Sequence, residues 1–418
     1  MADSYLPRVA EQEVDQSLRA LGAVVIEGPR ACGKTSTARR FAASEALLDV
    51  DANLREAARL DPGLVLDGAV PRLIDEWQLV PELWNHVRRA VDDRRAPGQF
   101  LLAGSAVPAD DLIRHSGAGR LIRIRMRPLS LFESGKSYGS VSLGALLEGK
   151  APRASDPGLR TADLVDAVVR GGWPRHVGLS LDEAARAVRA YVDETRRLDL
   201  VRVDGVRRDP ERVGRLLASL ARNVATEVDL TALAADTGGS EGPIDRDTAR
   251  EYLGALERVM VVEDQPAWSP HLRSRSRLRK SPKRHFVDPS LAVAALGAGG
   301  DDLLADLEYL GFLFESLVVR DLRVYAQRHD GQVLHYRDGS GLEVDAVVRT
   351  RDRRWAAFEV KLGAHRIEEG AANLLRLRDR IDRKKMGEPG TLAVVTGTGY
   401  AYRRPDGIGV VPIGTLGP

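Results

Sequence analysis

A glycine-rich loop near the beginning of the chain has the residue types and the spacing that cradle phosphate groups. Residues 28–35 read G-P-R-A-C-G-K-T, between an apolar run at 23–26 and a helical pattern that starts at 35. Glycines let successive backbone N–H groups converge on phosphate oxygens, and the helix N-terminus adds its dipole. Lys34 supplies a compact positive charge, and the Thr35 hydroxyl is a ligand for Mg²⁺. The loop predicts a binding site for ATP and Mg²⁺.

The whole loop is expected to line the nucleotide. Contacts are predicted for Gly28, Pro29, Arg30, Ala31, Cys32, Gly33, Lys34, Thr35 and Ser36. Cys32 is the single cysteine, which excludes an internal disulfide and a cysteine-based zinc site. We expect Cys32 to be a small space-filling residue, with a reactive exposed thiol as the alternative.

Lysine is rare in this chain, so its positions are informative. Of the 62 Lys and Arg residues only eight are lysine, at positions 34, 136, 150, 280, 283, 361, 384 and 385. A compact ammonium and a planar guanidinium do not exchange freely at a chemical site. Lys34 and Lys361 are two positions where the expected chemistry needs a lysine.

Two adjacent acids, Asp75 and Glu76, stand at the end of a predicted strand. In P-loop enzymes the first such acid holds Mg²⁺ through water and the second polarises the attacking water, and we predict these roles here. The next strand ends at Ser105, which is expected near the γ-phosphate, where it would help to orient water. Arg120 is a candidate phosphate-sensing or intersubunit arginine, with a surface salt bridge as the alternative.

Acidic residues and a lysine are expected to converge near the end of the chain. Side chains alternate along a strand, so Glu343 and Asp345 share one face of their strand. Glu359 and Lys361 share a face of the next strand for the same reason. Glu315 lies on the apolar side of a helix, where a carboxylate is costly unless it is paired or bound to a metal ion.

The order of the predicted elements divides the chain into three parts. Alternating strands and helices in the first third predict a parallel sheet covered on both faces. Three helices and a strand-like run at 259–263 then follow in the order of a winged helix, and a compact α/β domain ends the chain. The predicted domains span 1–205, 206–285 and 286–418. Early strands are predicted near 23–27, 47–51, 71–75 and 99–103, and early helices at 34–44, 52–60 and 81–94.

A basic segment follows the expected winged helix. Residues 271–285 contain seven Lys and Arg residues and no acid. Such a block is either a solvated, flexible segment or a binder of phosphate backbones. The third helix offers Arg246 and Arg250 to a DNA groove, and protein contacts are the alternative use of this helix. The net charge is only +2, so any binding of DNA has to rely on local patches.

Several motifs occur together: the phosphate loop, Asp75-Glu76-Trp77-Gln78, residues 102–105, residues 119–133 and the Gly-Gly-Trp-Pro of 171–174. In this combination the chain resembles, over nearly its whole length, a group of prokaryotic AAA-type ATPases with a C-terminal domain of unknown function. The resemblance implies an AAA+-like ATPase core, a winged-helix-like middle and a nuclease-like end. AAA+ chemistry often uses a neighbour's arginine, so a homo-oligomer is consistent with it.

The order of the C-terminal acids resembles the PD-(D/E)xK nuclease superfamily. By that resemblance Asp345 and Glu359 bind Mg²⁺ or Mn²⁺ with the help of Glu315, and Lys361 orients water or stabilises developing charge. Val344 stands where the superfamily pattern has a proline. Two alternatives stay open: an active metal-dependent nuclease, and a nuclease-like fold kept for binding a partner.

The bulk composition limits the class of protein. A chain of 418 residues with 43% hydrophobic and 29% charged residues is typical of a globular protein with several domains. No apolar run approaches the length of a transmembrane helix and no signal-peptide pattern begins the chain, so we expect a cytoplasmic protein without a membrane partner. The prediction is an ATPase that acts on nucleic acid, and the alternative is an ATP-driven regulator or scaffold.

Overall fold

The computed structural model describes residues 5–105, 117–200, 205–270 and 281–418. The predicted α/β fold class is confirmed, with a parallel sheet in the first part of the chain and a second sheet in the last part. Within the described ranges no helix is both long enough and apolar enough to cross a bilayer.

The first part of the chain folds around a five-stranded parallel sheet with the strand order β2-β3-β4-β1-β5. The strands are β1 (Ala23–Glu27), β2 (Ser44–Leu47), β3 (Arg72–Asp75), β4 (Phe100–Gly104) and β5 (Leu121–Arg125). The helices are α1 (Ala10–Ala20), α2 (Lys34–Arg39), α3 (Ala52–Leu60), α4 (Gly63–Leu66) and α5 (Leu83–Arg94). Val25 and Leu102 pack in one apolar cluster and Val24 and Leu101 in another. The two central strands are apolar over 23–26 and 100–103, because both faces of the sheet are covered there.

Two early elements differ in extent from their predictions. The helix predicted over 34–44 ends at Arg39, and the strand predicted near 47–51 begins at Ser44 and ends at Leu47. The reason lies after the strand, where the Asp51 carboxylate accepts a hydrogen bond from Leu54 N and begins α3. Because the chain has to leave the sheet before Asp51 caps α3, β2 begins and ends earlier in the sequence than predicted.

The middle of the chain is mostly helical. Its elements are β6 (Val141–Ser142), α6 (Leu143–Leu147), α7 (Thr161–Arg170), α8 (Leu181–Glu194), α9 (Pro210–Arg222), α10 (Leu230–Gly238), α11 (Arg246–Arg258), α12 (Pro289–Ala295) and α13 (Gly300–Ala305). Helix α12 packs against α7, α8 and α9. The helices of residues 161–194 thus share a core with those of the predicted second domain.

A short antiparallel ribbon follows α11, and we use "ribbon" for residues 261–265 with 283–287. Val262 pairs with Phe286 and Gln265 with Lys283. Three helices and a ribbon follow one another in the predicted order, and the use of this unit as a DNA-binding winged helix stays a prediction. Most of the basic segment, residues 271–280, lies outside the described residues.

The last part of the chain contains a six-stranded mixed sheet with the order β11-β12-β10-β9-β8-β7. Its elements are α14 (Leu307–Gln327), β7 (Gly331–Arg337), β8 (Glu343–Thr350), β9 (Trp355–Lys361), α15 (Ile367–Arg380), α16 (Arg383–Met386), β10 (Thr391–Thr396), β11 (Tyr402–Arg403) and β12 (Gly409–Pro412). A further strand, β13 (Leu416–Gly417), pairs with β6. Helix α14 packs on β7, β8 and β9, and α15 packs on β8, β9 and β10. The acids of β8 and β9 therefore lie in the same sheet, next to α14.

Candidate functional site

The phosphate loop lies between β1 and α2, as predicted. Gly33 immediately before α2 has a φ of 101°, a left-handed conformation that favours glycine. The buried Lys34 ammonium donates hydrogen bonds to Gly28 O at 3.0 Å and to Pro29 O at 2.9 Å. The lysine therefore lies against the loop that would hold the phosphates.

Thr35 and Asp75 meet at the carboxyl edge of the parallel sheet. The Thr35 hydroxyl donates to the Asp75 carboxylate, with Oγ1 at 2.9 Å from Oδ2 and 3.1 Å from Oδ1. Burial raises the pKa of Asp75 to about 6, and the neighbouring charges of Glu76 and Asp49 add to the rise, against Thr35 and Lys34. A hydroxyl and a carboxylate side by side are oxygen donors of the kind Mg²⁺ prefers, so the residues present fit this ion.

Glu76, Gln78 and Ser105 form a second polar group at the same edge. The Ser105 hydroxyl donates to Glu76 Oε2 at 3.2 Å, and the Gln78 amide also donates to this oxygen. Glu76 has a left-handed backbone with φ 52°, which costs of order 1–3 kcal/mol in a non-glycine residue. Such conformations concentrate at functional sites. Gln78 received no role from the sequence, although it belongs to the Asp75–Gln78 motif.

Two cavities flank the phosphate loop. One, of about 590 Å³, is lined by Arg30, Glu76 and Ser105 from the sheet domain and by Tyr191 and Val261 from the helical middle.

The other cavity, of about 550 Å³, is lined by Tyr5, Ser36, Thr37, Arg40 and Pro174, among others. The Tyr5 hydroxyl lies 3.0 Å from Thr37 Oγ1, and the Arg40 guanidinium lies over the Tyr5 ring at 4.8 Å. The phosphate loop thus has a cavity on each side.

Arg8 fixes the loop from the N-terminal segment and was missed by the sequence analysis. Its Nη1 donates to Cys32 O at 2.7 Å and its Nε donates to Glu133 Oε1 at 3.1 Å, both in buried positions. Cys32 itself is fully buried, which confirms the space-filling interpretation and not the exposed thiol. Arg8 lies in the irregular segment before α1, and a single arginine there gives no local pattern from which this contact could be predicted.

Arg120 lies at the opposite end of the sheet from the phosphate loop. It precedes β5, whose first residue pairs with Ala23 at the start of β1, whereas the loop follows the end of β1. Its guanidinium pairs with Asp92 on α5 at 2.7 Å. The prediction of a phosphate-sensing arginine is therefore wrong for a nucleotide bound in the same chain. The salt-bridge alternative is observed, and the intersubunit role stays a prediction.

The structure brings the predicted C-terminal residues together. Lys361 Nζ lies 2.9 Å from Glu359 Oε2, and Val360 N donates to Asp345 Oδ2 at 2.8 Å. A cavity of about 830 Å³ is lined by Glu315, Asp345 and Lys361, among others. Burial and the charge of Asp345 raise the pKa of Glu359 well above its usual range.

Lys283 joins these acids and was missed by the sequence analysis. Its ammonium lies 2.7 Å from Glu315 Oε1, 3.1 Å from Glu343 Oε1 and 3.4 Å from Asp345 Oδ1, with 3% of its side chain exposed. Burial by itself lowers the pKa of Lys283, but the charges of Glu315, Asp345 and Glu343 outweigh burial and raise it well above its usual value. Lys283 is therefore charged. The only sign of its role in the sequence was that it is one of eight lysines.

The predicted metal site of Glu315, Asp345 and Glu359 needs a correction. In the part of the chain that the structure describes, no group of three or more His, Cys, Asp and Glu side chains is arranged to hold a metal ion. Glu315 and Asp345 contact the Lys283 ammonium, and Glu359 contacts Lys361. The residues present do not fit a divalent ion in this arrangement.

Two of the motifs that carry the family resemblance make contacts between different parts of the chain. In residues 127–133, Arg127 pairs with Glu263 of the ribbon and Leu131 N donates to the buried Asp321 of α14 at 3.0 Å. In the Gly-Gly-Trp-Pro motif, Gly172 N donates to Asp288 Oδ2 at 2.9 Å. These residues hold the sheet domain, the helical middle and the C-terminal part together.

Three protein-family models match successive parts of the chain. Residues 21–134 match a family described as "AAA domain", residues 161–302 match "Domain of unknown function (DUF8612)" and residues 310–416 match "Domain of unknown function (DUF4143)". The first part of the chain is therefore similar to AAA domains. The description of the last family does not include a nuclease.

Two mycobacterial proteins and one solved structure are similar to the chain. Uncharacterized protein Rv2008c of Mycobacterium tuberculosis and uncharacterized protein Mb2031c of Mycobacterium bovis are each 29% identical over 364 residues, which is 85% of this chain and 73% of each relative. The Walker-type ATPase PABY2304 of Pyrococcus abyssi aligns with a TM-score of 0.42 at 12% identity, over 70% of this chain and 97% of that chain.

Proposed function

We propose that this protein binds ATP with Mg²⁺ and hydrolyses it at the carboxyl edge of its parallel sheet, and that it uses the cycle to control a partner-binding C-terminal domain. The observation that carries the proposal is that two polar groups lie at this edge. One contains Lys34, Thr35 and Asp75, and the other contains Glu76, Gln78 and Ser105. One group is suited to holding charged phosphates and the other to holding a water molecule.

The proposed reaction assigns each group one task. Loop N–H groups and Lys34 bind the phosphates, and Thr35 and Asp75 would hold Mg²⁺, which when bound neutralises phosphate charge. Glu76 orients the attacking water and accepts its proton, while Ser105 and Gln78 hold the Glu76 carboxylate. The water oxygen bonds to the γ-phosphorus, the bond to the leaving oxygen breaks, and ADP and phosphate result.

The cavity beside α2, lined by Tyr5, Ser36 and Pro174, is the proposed pocket for the nucleoside. It begins at Gly33 and Ser36, where a nucleotide held by the loop would extend away from its phosphates. Its volume of about 550 Å³ is in the range of small-molecule sites. Tyr5 and Pro174 offer flat or apolar surface to a base. This assigns a binding role to the N-terminal segment and to the Gly-Gly-Trp-Pro turn.

A matched pair of lysine variants tests the assignment. Lys34→Ala is expected to lower steady-state ATP turnover by at least about 100-fold, because the phosphate charge loses its main neutralising group. Lys384→Ala, at an exposed lysine, is expected to turn over like the wild type. Turnover by Lys34→Ala at the wild-type rate would refute the site.

For the C-terminal domain, the arrangement around Lys283 favours partner binding without cleavage. A metal-dependent nuclease is the second candidate, since Asp345, Glu359 and Lys361 lie together in the order of that superfamily. DNA remains the proposed partner class for the basic residues of 273–280, since Lys283 is buried against the acids.

Incubation with single- and double-stranded DNA and Mn²⁺, with and without ATP, separates the two candidates. Partner binding predicts intact DNA under every condition. Cleavage by the wild type that disappears in Lys361→Ala would establish the nuclease instead.

A further inference from the structure

The carboxylate site of the C-terminal domain already contains a positive charge. The Lys283 ammonium lies within 3.4 Å of oxygen atoms from Glu315, Glu343 and Asp345. These three acids come from α14 and from one face of β8. A set of carboxylate oxygens converging on one point is the environment that protein sites give to a hard divalent cation.

The backbone of the ribbon fixes the position of Lys283. Lys283 N donates to Gln265 O at 3.1 Å, and Gln265 N donates to Lys283 O at 2.9 Å. The Gln265 side chain in turn donates to Asp345 O at 2.9 Å and to Leu334 O at 3.1 Å. The ribbon is therefore hydrogen-bonded to β8, the strand that carries Asp345. The backbone of Lys283 is fixed, and its side chain is buried in the site.

The neighbours on the other side complete this arrangement. His285, two residues after Lys283, places its ring nitrogens 3.2 Å from Ser316 Oγ on α14 and 3.1 Å from Gln265 Oε1. Ser316 follows Glu315, so the same turn of α14 contacts the ribbon twice. The segment 283–285 therefore contacts both α14 and β8, and the Lys283 ammonium lies between Glu315 and Asp345.

We propose that the Lys283 ammonium is a built-in cation that occupies the carboxylate site of the C-terminal domain and excludes a divalent metal ion from it. An ammonium at 2.7 Å from Glu315 takes the space in which a metal ion would have to contact Glu315 and Asp345 together. A lysine suits this role, because it ends in a compact charge, while the planar fork of an arginine needs more room. In a chain with 62 Lys and Arg residues of which only eight are lysine, this position is one of the eight.

The competing explanation is a buried ion pair with only a structural role. Both explanations predict that loss of Lys283 destabilises the domain, because buried carboxylates lose their counter-ion. They differ in the consequence for metal binding. If Lys283 excludes a metal ion, its removal creates a site that Mn²⁺ can fill, and Mn²⁺ then restores the lost stability.

The test is Mn²⁺ titration of full-length, nucleotide-free protein by calorimetry, with thermal unfolding recorded alongside. Wild type is expected to show no binding that depends on Asp345. Lys283→Ala is expected to bind one Mn²⁺ per chain, and Mn²⁺ at 100 times the dissociation constant should raise its Tm by about 5 °C. Adding Asp345→Asn to Lys283→Ala should remove both effects.

Lys283→Gln is the second variant in case Lys283→Ala does not fold, and Lys384→Ala is the surface control. Folded Lys283→Ala or Lys283→Gln protein that binds no Mn²⁺ would overturn the proposal, and so would Asp345-dependent binding by the wild type. ATP turnover measured on the same samples reports on the proposed ATPase separately, because failure of hydrolysis leaves the Mn²⁺ titration unchanged.

Discussion

Arg127 and Glu263 form an ion pair with two hydrogen bonds, which joins the N-terminal sheet domain to the ribbon. Arg127 Nη2 lies 2.6 Å from Glu263 Oε1, and Arg127 Nε donates to Oε2 at 2.8 Å. Arg127 follows the end of β5 closely, and Glu263 lies two residues before Gln265, which pairs with Lys283. Val261 of the same strand of the ribbon lines the cavity beside Glu76. Residues 261–265 thus line the cavity beside Glu76, through Val261, and also pair with the segment that carries Lys283.

Removing the charge of Glu263 is expected to be costly. Burial opposes ionisation of Glu263, but Arg127, Arg323 and Arg125 lower its pKa well below the usual range, so the carboxylate is charged. Glu263→Gln leaves these guanidinium groups without their counter-ion and should lower the free energy of unfolding by about 3–5 kcal/mol. Denaturant unfolding measures the change.

Glu368→Gln is the control for this variant. Glu368 pairs with Arg404, but its side chain is 80% exposed, so the expected loss of stability is small. Equal losses in Glu263→Gln and Glu368→Gln would contradict the joint described for the ribbon.

Gly172 should tolerate no side chain, because a Cβ built there would lie 2.1 Å from Leu129 O. Gly172→Ala therefore forces apart the backbones of two family motifs and should cost about 1–3 kcal/mol, as overpacking of a core does. Gly254→Ala is the control in the interior of α11, where the nearest side-chain atom is 3.8 Å away. It should gain about 0.5–1 kcal/mol. Thermal unfolding that ranks Gly172→Ala as the more stable variant would be inconsistent with this contact.

These contacts also show what the sequence can and cannot predict. The phosphate loop, the strand that carries Glu359 and Lys361 and the shared face of Glu343 and Asp345 all follow from local spacing, and the structure contains each of them. Lys283 was not predicted, because its partners at 315, 343 and 345 come from elements that meet only in the folded chain. Arg120 was misplaced because a local pattern does not tell which end of the sheet a residue occupies.

Glu13 predicts a pH dependence of stability. Burial raises the pKa of Glu13 to about 6, with a further rise from Asp330 and opposing contributions from Arg127 and Gln327. The folded protein therefore favours the protonated acid, and wild type loses stability as the pH rises from about 4.5 to about 6. Glu13→Gln lacks this loss, so its Tm relative to wild type should increase across that interval and level off above it. A Tm difference that is constant with pH, or that falls, would show that the sign is wrong.

The central claim is that one part of the site binds ATP and another activates water. Equilibrium ATP binding and single-turnover hydrolysis should therefore be measured together on wild type, Lys34→Ala, Glu76→Gln and the exposed-acid control Glu82→Gln. Glu76→Gln should keep its ATP affinity within about threefold and lose hydrolysis by about 10²–10⁴-fold, because only the proton acceptor is removed. Lys34→Ala should lose affinity, and Glu82→Gln should match wild type. Hydrolysis by Glu76→Gln at the wild-type rate would contradict the account.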